Sequence, residues 1–281
     1  MATLLEVIRK TTHFFASKGI DNPRLNAEQI LAFGLKRKRL DLYLEFDKVL
    51  EELELERLRD LVRRRGVREP LQYITGEAPF LDLKLKVSRN VLIPRPETEE
   101  LASRVLTKLD KGHSYAIIDL GTGTGSIALA LAQGLPESKV MGVDISEAAV
   151  TLAQENAHLN KLEKKVQFII SDWFSRIEGA FDCIVANPPY LTEKEWLEAE
   201  PEVKGFEPKS ALVGGAEGTK DLYHILETSL KFLKKGGLLA LETGIDQHAK
   251  LKEKAEILGY REIESIKDLA QRDRFLMARW V

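Results

Sequence analysis

The sequence contains one cysteine, Cys183, among its 281 residues. A lone cysteine forms no intramolecular disulfide bond, and its position inside an apolar run indicates a small buried side chain in a reducing compartment. The five histidines are scattered without the spacing of metal ligands, and no second cysteine joins them. The sequence therefore excludes a disulfide scaffold and predicts no bound metal.

Long apolar runs and a net charge of one sign are also missing. No stretch approaches the ~20 apolar residues that a membrane span requires. Glu6, Arg9 and Lys10 interrupt the apolar residues at the start, which does not fit a signal peptide. The 42 Lys and Arg against 44 Asp and Glu disfavour a purely electrostatic nucleic-acid binder. We expect a soluble, cytoplasmic protein with neither a membrane partner nor a direct nucleic-acid partner.

The first quarter of the chain has helical periodicity. Apolar residues recur every three or four positions from residue 3 to about 65, which predicts a domain of four or five short helices over 1–75. Alternating apolar and charged residues bounded by turn residues then predict a β-hairpin linker over 76–95. Two basic runs, at 36–39 and 63–65, are interpreted either as solvated helix ends or as a patch for an acidic or RNA-associated partner.

Strands and helices alternate in the remaining region, 96–281, which is predicted to be the third part of the chain. The predicted strands are 115–120, 139–144, 166–170, 182–186 and 238–242, and the predicted helices are 125–133, 147–160 and 222–233. This order predicts an α/β fold with a parallel sheet and a ligand crevice at the carboxyl ends of its strands. A final strand pair near 260–266 and 275–280 lacks an intervening helix, so it predicts an antiparallel hairpin. Such a sheet fits a Rossmann-like methyltransferase better than a dehydrogenase.

A glycine-rich turn follows the first of these strands and precedes a helix. It comprises Gly121, Thr122, Gly123, Thr124 and Gly125. The third glycine of the dinucleotide pattern G-x-G-x-x-G would fall at Ser126, so a ligand without a pyrophosphate is favoured. S-adenosylmethionine meets that condition, and its amino-acid end can lie against this loop.

Polar or aromatic residues end the next two strands. Asp144 is predicted to accept hydrogen bonds from both ribose hydroxyls of the same cofactor, and the alternative is a helix cap before Ser146. Asp172 is predicted to accept from the exocyclic amine of the adenine, and Trp173 to offer it a flat surface. The alternative for Trp173 is packing in the core.

The fourth strand ends in Asn187, Pro188, Pro189 and Tyr190. Two prolines remove two backbone donors and stiffen the chain, so the Asn187 amide and the backbone carbonyls can accept hydrogen bonds from an incoming NH2 group. All four residues are predicted to bind the substrate, with Asn187, Pro188 and Tyr190 catalytic and Asn187 also next to the cofactor. This pattern indicates methyl transfer to a planar nitrogen. The alternative is a Pro-Pro turn that caps a buried strand.

Six segments in this order resemble the release-factor glutamine methyltransferases (HemK type) over essentially the whole chain. They are 69–76, 92–99, 119–125, 171–174, 187–190 and 206–212. The resemblance implies methylation, with S-adenosylmethionine, of the glutamine in the Gly-Gly-Gln loop of class 1 peptide chain release factors, and helices at the N-terminus that help hold the release factor. Thr219, Lys220 and Asp221 depart from the Gly-Leu that the family more often shows, which we expect to alter only a loop.

Two other functions are compatible with the residues. One is methylation of an adenine or cytosine amino group in DNA or RNA, and expelling such a base from a duplex costs a few kcal/mol. The other is a non-catalytic translation accessory protein that binds S-adenosylmethionine. We expect a monomer in each case, and no dedicated base, so Glu97, Glu99 and Glu207 are given only capping or loop roles.

Overall fold

The computed structural model describes residues 2–281, which divide into two compact units. The first unit runs up to Gly76 and also contains Glu200–Phe206; the second comprises Glu77–Ala199 and Glu207–Val281. The first unit therefore includes a short segment that is distant in sequence, and the predicted hairpin belongs to the second unit. Within residues 2–281 no helix combines the length and apolarity that crossing a membrane requires.

The first unit is helical, as its periodicity predicts. Its helices are α1 (Leu4–Ser17), α2 (Pro23–Leu35), α3 (Arg39–Leu44), α4 (Glu52–Gly66) and α5 (Leu71–Thr75), to which the distant segment adds Pro201–Phe206, α10 in chain order. A capping box starts α1, where Thr3 Oγ1 accepts from the Glu6 backbone at 3.3 Å and Glu6 Oε2 accepts from the Thr3 backbone at 3.1 Å. Pro23 starts α2, where its fixed φ suits the first helical position.

Two apolar clusters hold these helices together. The buried members of one cluster are Leu4, Ile8, Leu31, Ala32, Leu42, Leu50 and Leu58, and those of the other are Phe15, Ile20, Ala27, Ile30, Leu61 and Ile74. Members recur at helical spacing within α1 and α4, so each of these two helices buries one face. Helix α2 contributes Leu31 and Ala32 to the first cluster and Ala27 and Ile30 to the second.

An ion-pair network attaches α10 to the rest of the first unit. Arg65 Nη2 donates to Glu202 Oε1 at 3.0 Å, and Arg68 Nε donates to Glu202 Oε2 at 2.8 Å. Arg65 is buried and its Nε also donates to Asn26 Oδ1 at 2.9 Å. Arg64 forms a two-point pair with Glu69. Neither interpretation of the basic run at 63–65 describes Arg65, because it is buried and paired within the unit.

The second unit contains a hairpin and a seven-stranded sheet. The hairpin is β1 (Glu77–Phe80) and β2 (Leu83–Lys86), and the sheet strands are β3 (Ala116–Leu120), β4 (Lys139–Asp144), β5 (Val166–Ile170), β6 (Phe181–Ala186), β7 (Leu233–Glu242), β8 (Arg261–Lys267) and β9 (Asp273–Arg279). The sheet order is β5-β4-β3-β6-β7-β9-β8. Strands β3 to β7 are parallel, and β9 is antiparallel to β7 and β8. The predicted α/β sheet with an antiparallel end is confirmed.

Six helices accompany the sheet. They are α6 (Pro96–Lys108), α7 (Ser126–Gly134), α8 (Glu147–Leu159), α9 (Glu193–Glu198), α11 (Lys220–Ser229) and α12 (His248–Ile257). Neither α6 nor α12 was predicted from the sequence. Pro96 marks a turn in the sequence, yet at the first position of a helix a proline loses no hydrogen bond. The predicted helix to residue 233 is wrong at its end, because β7 already begins at Leu233. The expectation that the departure at 219–221 alters only a loop is also wrong, because Lys220 and Asp221 begin α11 and line the cavity described below.

The early start of β7 reflects a bulge. Phe181 pairs with Leu233, whereas Cys183, two residues later, pairs with Leu238. The extra residues of β7 include Gly236, whose φ of 81° lies in the left-handed region that glycine adopts without steric cost. The continuous apolar run at 238–241 predicts only the regular part of the strand, so its irregular start was predicted as the end of a helix.

The sheet is buried on both faces. Side chains from alternate positions of each strand enter different apolar clusters: Ile117 and Cys183 lie in one, and Ile118 and Ile184 in the other. Chain order reverses at β3, whose neighbours are β4 and β6. In a parallel sheet such a switch point opens a crevice outside the carboxyl ends of the strands. The turns after β3, β4, β5 and β6 therefore all face this crevice.

The Glu202→Gln substitution should destabilise the first unit. It leaves the buried Arg65 guanidinium without its charged partner, which we expect to lower the free energy of unfolding by about 2–3 kcal/mol. Urea unfolding followed by helical circular dichroism measures the change. Glu52→Gln is the control, because its pair with Arg59 is exposed and should contribute less than about 1 kcal/mol. Equal effects of the two substitutions would contradict the structural role of the buried pair.

Candidate active site

The turns after β3, β4, β5 and β6 line one cavity of about 770 Å³. The predicted site residues that line it are Gly121, Thr122, Gly123, Thr124, Asp144, Asp172, Trp173, Asn187 and Pro189. Gly125, Pro188 and Tyr190 do not line it. Cavities of this size hold organic ligands of several hundred daltons, so the turns form one ligand site.

The glycine-rich turn is held by backbone hydrogen bonds to its neighbours. The Thr122 N–H donates to the Val143 carbonyl at 2.8 Å, and the Gly125 N–H donates to the Thr122 carbonyl at 2.8 Å. Gly125 precedes α7 with φ 80°, and a Cβ built on it would lie 3.0 Å from the Phe168 ring. Gly125 is therefore needed for the turn and its packing rather than for contact with the cavity.

Asp119 lies beneath this turn. Its Oδ2 accepts from Thr122 Oγ1 at 2.6 Å and from the Ala128 N–H at 3.2 Å, while its Oδ1 is buried with no hydrogen-bond partner among residues 2–281. Burial raises the pKa of Asp119 to about 7. The carboxyl group that orders the turn is thus expensive to keep ionised.

Asp144 connects the glycine turn to the start of α8. Its Oδ2 accepts from the Gly123 N–H at 2.9 Å, and its Oδ1 accepts from the Ser146 N–H at 2.9 Å. Ser146 is the N-cap of α8 and accepts from the Ala149 N–H at 3.3 Å. Asp144 therefore supports the cap without being the cap residue. Each of its oxygens retains acceptor capacity towards the cavity.

Trp173 both lines the cavity and packs against the core. Its φ of 46° is left-handed, and a Cβ built on Gly121 would lie 3.5 Å from its ring. The ring also contacts the apolar cluster that contains Phe174. Ligand contact and core packing are therefore compatible. Asp172, beside it, lines the same cavity.

The Asn187–Tyr190 turn is joined to a buried polar network. Asn187 Nδ2 donates to Thr98 Oγ1 at 3.0 Å, and Thr98 Oγ1 donates to Glu242 Oε2 at 2.7 Å. The Tyr190 hydroxyl donates to Glu242 Oε1 at 3.1 Å. The Arg274 guanidinium lies 5.5 Å from the centre of the Tyr190 ring, close enough for a cation–π contact.

Burial raises the pKa of Glu242 to about 7, against the opposing effects of its two hydroxyl donors and of Arg274. Burial also raises the pKa of the Tyr190 phenol, and the neighbouring Glu242 charge adds to that rise. Tyr190 is therefore a neutral hydrogen-bond donor at physiological pH.

Neither Thr98 nor Glu242 was predicted from the sequence to belong to the site. Thr98 lies in the segment 92–99, one of the six that carry the resemblance, but no role was assigned to it. Glu242 could have been predicted as a site residue, because it is an acidic residue at the carboxyl end of the strand next to β6. Acids at that edge of a parallel sheet point to the ligand site.

The loop that contains Gly214 and Gly218 packs closely against the Asn187–Tyr190 turn. A Cβ on Gly214 would collide with the Pro189 carbonyl, and one on Gly218 with the Tyr190 carbonyl. Gln247 Nε2 donates to that Tyr190 carbonyl at 2.8 Å. The Asn187–Tyr190 turn is therefore packed tightly against this loop.

Glu207 holds the segment before α6 against the cavity. The buried Glu207 carboxylate accepts from the Ile93 N–H at 3.1 Å and pairs with the Arg95 guanidinium. Arg95 and Leu92 line the cavity. The structural role expected for Glu207 agrees with these contacts. Among residues 2–281, no group of three or more histidine, cysteine or acidic side chains is arranged to hold a metal ion.

Comparison with known proteins gives consistent matches. Family models described as "Methyltransferase small domain" and "PrmC N-terminal domain" match residues 98–200 and 6–76. The release factor glutamine methyltransferase of Rhodopirellula baltica is 40% identical over 98% of this chain and 95% of that protein. That of Thermodesulfovibrio yellowstonii is 41% identical over 89% of this chain and 90% of its own length. A crystal structure of a methyltransferase from Pyrococcus furiosus has a TM-score of 0.54 at 20% identity, covering 71% of this chain and 89% of that one.

The sheet order, the antiparallel end and the cavity at the strand ends define a Rossmann-like class I methyltransferase domain. The helical first unit and the sequence identity over nearly the full length indicate one particular family within this class. The chain belongs to the release factor glutamine methyltransferase family.

Stability should depend on the protonation of Asp119. Its pKa of about 7 in the folded protein exceeds the unfolded value, roughly 3.9. The resulting stabilisation is complete below about pH 4 and is lost as the pH rises through about 7. The difference in free energy of unfolding between wild type and Asp119→Asn should therefore fall by about 4 kcal/mol from pH 4 to pH 8.

Urea unfolding at several pH values measures this difference. Asp246→Asn, at an exposed carboxylate, is the control and should follow the wild-type curve at every pH. A difference between wild type and Asp119→Asn that stays constant with pH would rule out the shifted protonation of Asp119.

Proposed function

We propose that this protein transfers a methyl group from S-adenosylmethionine to the side-chain amide nitrogen (N5) of the glutamine in the Gly-Gly-Gln motif of class 1 peptide chain release factors. The observation that carries the proposal is the position of Asn187, whose amide shares one cavity with the glycine turn, Asp144 and Asp172. Full-length relatives named for release factor glutamine methylation support the same substrate.

The cavity fits S-adenosylmethionine. Asp144 offers carboxylate oxygens for the two ribose hydroxyls, Asp172 offers an acceptor for the adenine amine, and Trp173 offers a flat surface. A Cβ on Gly123 would meet no atom within 4 Å, so the glycine turn leaves room for the amino-acid end of the cofactor. When bound, S-adenosylmethionine supplies an electrophilic methyl group on a sulfonium centre.

The chain's part in the reaction is to position the glutamine amide. An amide nitrogen is a weak nucleophile because its lone pair is delocalised into the carbonyl group. The Asn187 side-chain carbonyl and the Pro188 backbone carbonyl are proposed to accept its two hydrogens, which polarises the nitrogen and fixes the amide plane. Pro188 does not line the cavity, so its role requires the amide to reach beyond the lining residues. Correct positioning of two reactants can supply about 7–11 kcal/mol, so geometry is the main contribution of the site.

Tyr190 is proposed to pack against the amide plane. Its hydroxyl is fixed by Glu242 and its ring is close to the Arg274 guanidinium. The ring does not line the cavity, so this role requires the substrate to reach beyond the lining residues. Pro189 lines the cavity beside it and is proposed to limit the space available to the amide.

No side chain is proposed as a base. Methylation of the amide nitrogen produces a strongly acidic cation, which water can deprotonate after the transfer. Glu207 is buried and occupied by Ile93 and Arg95, and Glu97 is paired with Arg272. These contacts agree with structural roles for both.

The helical first unit is proposed to hold the release factor. The PrmC N-terminal domain match covers residues 6–76, and exposed apolar side chains on this unit are available for a protein partner: Leu40, Leu44 and Leu53. Because class 1 release factors act on ribosomes, we place the protein in the cytoplasm. We further propose that it acts as a monomer, with no membrane or direct nucleic-acid partner.

Incubating the protein with S-adenosylmethionine and a purified class 1 release factor should add one methyl group to the glutamine of the Gly-Gly-Gln motif. Mass spectrometry of the digested release factor locates the modification. Asn187→Ala should lower kcat about 100-fold or more, because the acceptor that holds the amide nitrogen is lost. Asn160→Ala, at a surface asparagine bonded to Lys84, is the control and should keep wild-type turnover.

An unmodified release factor in the presence of bound S-adenosylmethionine would overturn the proposed substrate. Methylation of adenine or cytosine in supplied DNA or RNA would then identify the amino-methyltransferase alternative. Near-wild-type turnover by Asn187→Ala would overturn the proposed role of Asn187 even if the release factor is methylated.

Gly123→Ala should weaken cofactor binding about tenfold. Its φ of 55° is unfavourable for alanine, at a cost of about 1–2 kcal/mol, and the new methyl group would occupy space needed by the ligand. Gly112→Ala is the matched control, with φ 95° and an open surrounding but no place in the cavity. Isothermal titration with S-adenosylmethionine should separate the two variants, and equal affinities would contradict the proposed position of the cofactor.

A further inference from the structure

Asn187 has a hydrogen bond on only one end of its side-chain amide. Its Nδ2 donates to Thr98 Oγ1 at 3.0 Å, and within residues 2–281 its Oδ1 accepts no hydrogen bond. The two ends of an asparagine amide are nearly equal in shape and opposite in hydrogen-bonding character. A reversed amide would offer donors to the cavity and could not accept from an NH2 group, so something must fix the amide orientation.

The number of protons that Thr98 and Glu242 can donate fixes the orientation of the Asn187 amide. Above its pKa of about 7, the Glu242 carboxylate is mostly ionised and can only accept hydrogen bonds, and a threonine hydroxyl has one proton. Glu242 Oε2 lies 2.7 Å from Thr98 Oγ1, so the single Thr98 proton is directed to Glu242. The hydroxyl oxygen of Thr98 can then only accept from Asn187, which must present its NH2 end and leave Oδ1 for the cavity.

The same carboxylate fixes a second residue of the turn. Glu242 Oε1 accepts from the Tyr190 hydroxyl at 3.1 Å. Glu242 ends β7, next to the strand from which the Asn187–Tyr190 turn emerges. Thr98 and Glu242 are 4% and 1% exposed, so water does not compete effectively for these bonds.

We propose that Glu242 and Thr98 are positioning residues for the reaction, which together set the orientation of the Asn187 amide and the place of the Tyr190 ring. This inference rests on the proposed function. Of the two residues, Thr98 lines the cavity and Glu242 does not. Glu242 therefore acts through Thr98 and through the Tyr190 hydroxyl rather than on the substrate.

Thr98→Val tests the chain of hydrogen bonds, because valine keeps the shape of threonine and removes the hydroxyl group. At pH 8, above the pKa of Glu242, kcat for release factor methylation should fall about 10- to 100-fold. The KM for the release factor and the Kd for S-adenosylmethionine should change less than threefold. Thr98→Ser restores the hydroxyl and should recover most of kcat. Thr107→Val, on an exposed threonine of the same helix, should leave kcat unchanged.

A second measurement reports on Asn187 without turnover. The side-chain NH2 signals of Asn187 in 15N-labelled protein can be assigned by their absence in Asn187→Ala. Loss of the Thr98 acceptor should shift the hydrogen-bonded proton of this NH2 group upfield in Thr98→Val, whereas Thr98→Ser should keep the wild-type position. This comparison remains informative if Thr98→Val lowers the melting temperature, provided that the remaining spectrum is that of the folded protein.

Failure of the inference and failure of the proposed function give different results. If wild type methylates the release factor and Thr98→Val keeps kcat within twofold, the positioning role is wrong. If wild type does not methylate the release factor, the proposed function fails, and the NMR comparison alone decides the inference. Unchanged Asn187 NH2 signals in Thr98→Val would overturn it in either case.

Discussion

The parallel alignment of β3, β4, β5 and β6 is the constraint on which the site depends. Backbone hydrogen bonds between neighbouring strands fix their register, and that register places Leu120 beside Val143 and Ala186. The residues that follow each strand then emerge at the same edge. The glycine turn, Asp144, Asp172 and Asn187 share a cavity for this reason, although up to about seventy positions of sequence separate them.

Two carboxyl groups buried near the ends of sheet strands lower the stability of the folded protein. Asp119 and Glu242 are carboxyl groups buried at the ends of β3 and β7, and burial raises the pKa of each to about 7. Burying a carboxylate is unfavourable unless hydrogen bonds compensate for the lost water. Glu242 receives two hydroxyl donors and Asp119 a hydroxyl and a backbone N–H, while one Asp119 oxygen has no partner among residues 2–281. Their value lies in fixing the geometry of the turns rather than in net stabilisation.

The sequence predicted regular elements well because their signal is local. Strands 139–144 and 166–170 have the bounds of β4 and β5, since each is a short run that is apolar where the core requires it. Irregular elements were less predictable. Pro96 was interpreted as a boundary although it starts α6, and the bulged start of β7 was assigned to a helix. In both cases the local composition was compatible with more than one structure, and tertiary packing determined which structure formed.

The supporting contacts could not be predicted, because their partners are distant in sequence. Thr98 and Asn187 are 89 positions apart, Tyr190 and Glu242 are 52 apart, and Arg65 and Glu202 are 137 apart. No periodicity or motif relates the two members of such a pair in a single sequence. The glycine turn and the Asn187–Tyr190 turn were found because each is a compact motif with a chemical reason of its own.

Recognition of an NH2 group does not by itself select a protein substrate. A glutamine amide and a nucleobase amine are both planar and both present two hydrogens, so the acceptors of the Asn187–Tyr190 turn suit either one. Selectivity for glutamine in a release factor must therefore arise outside this turn. The segment that carries Leu92 and Arg95 along the cavity is held by Glu207, and the helical first unit adds a separate surface. We propose that the chemistry resides at the strand ends and that substrate choice resides in the elements around them.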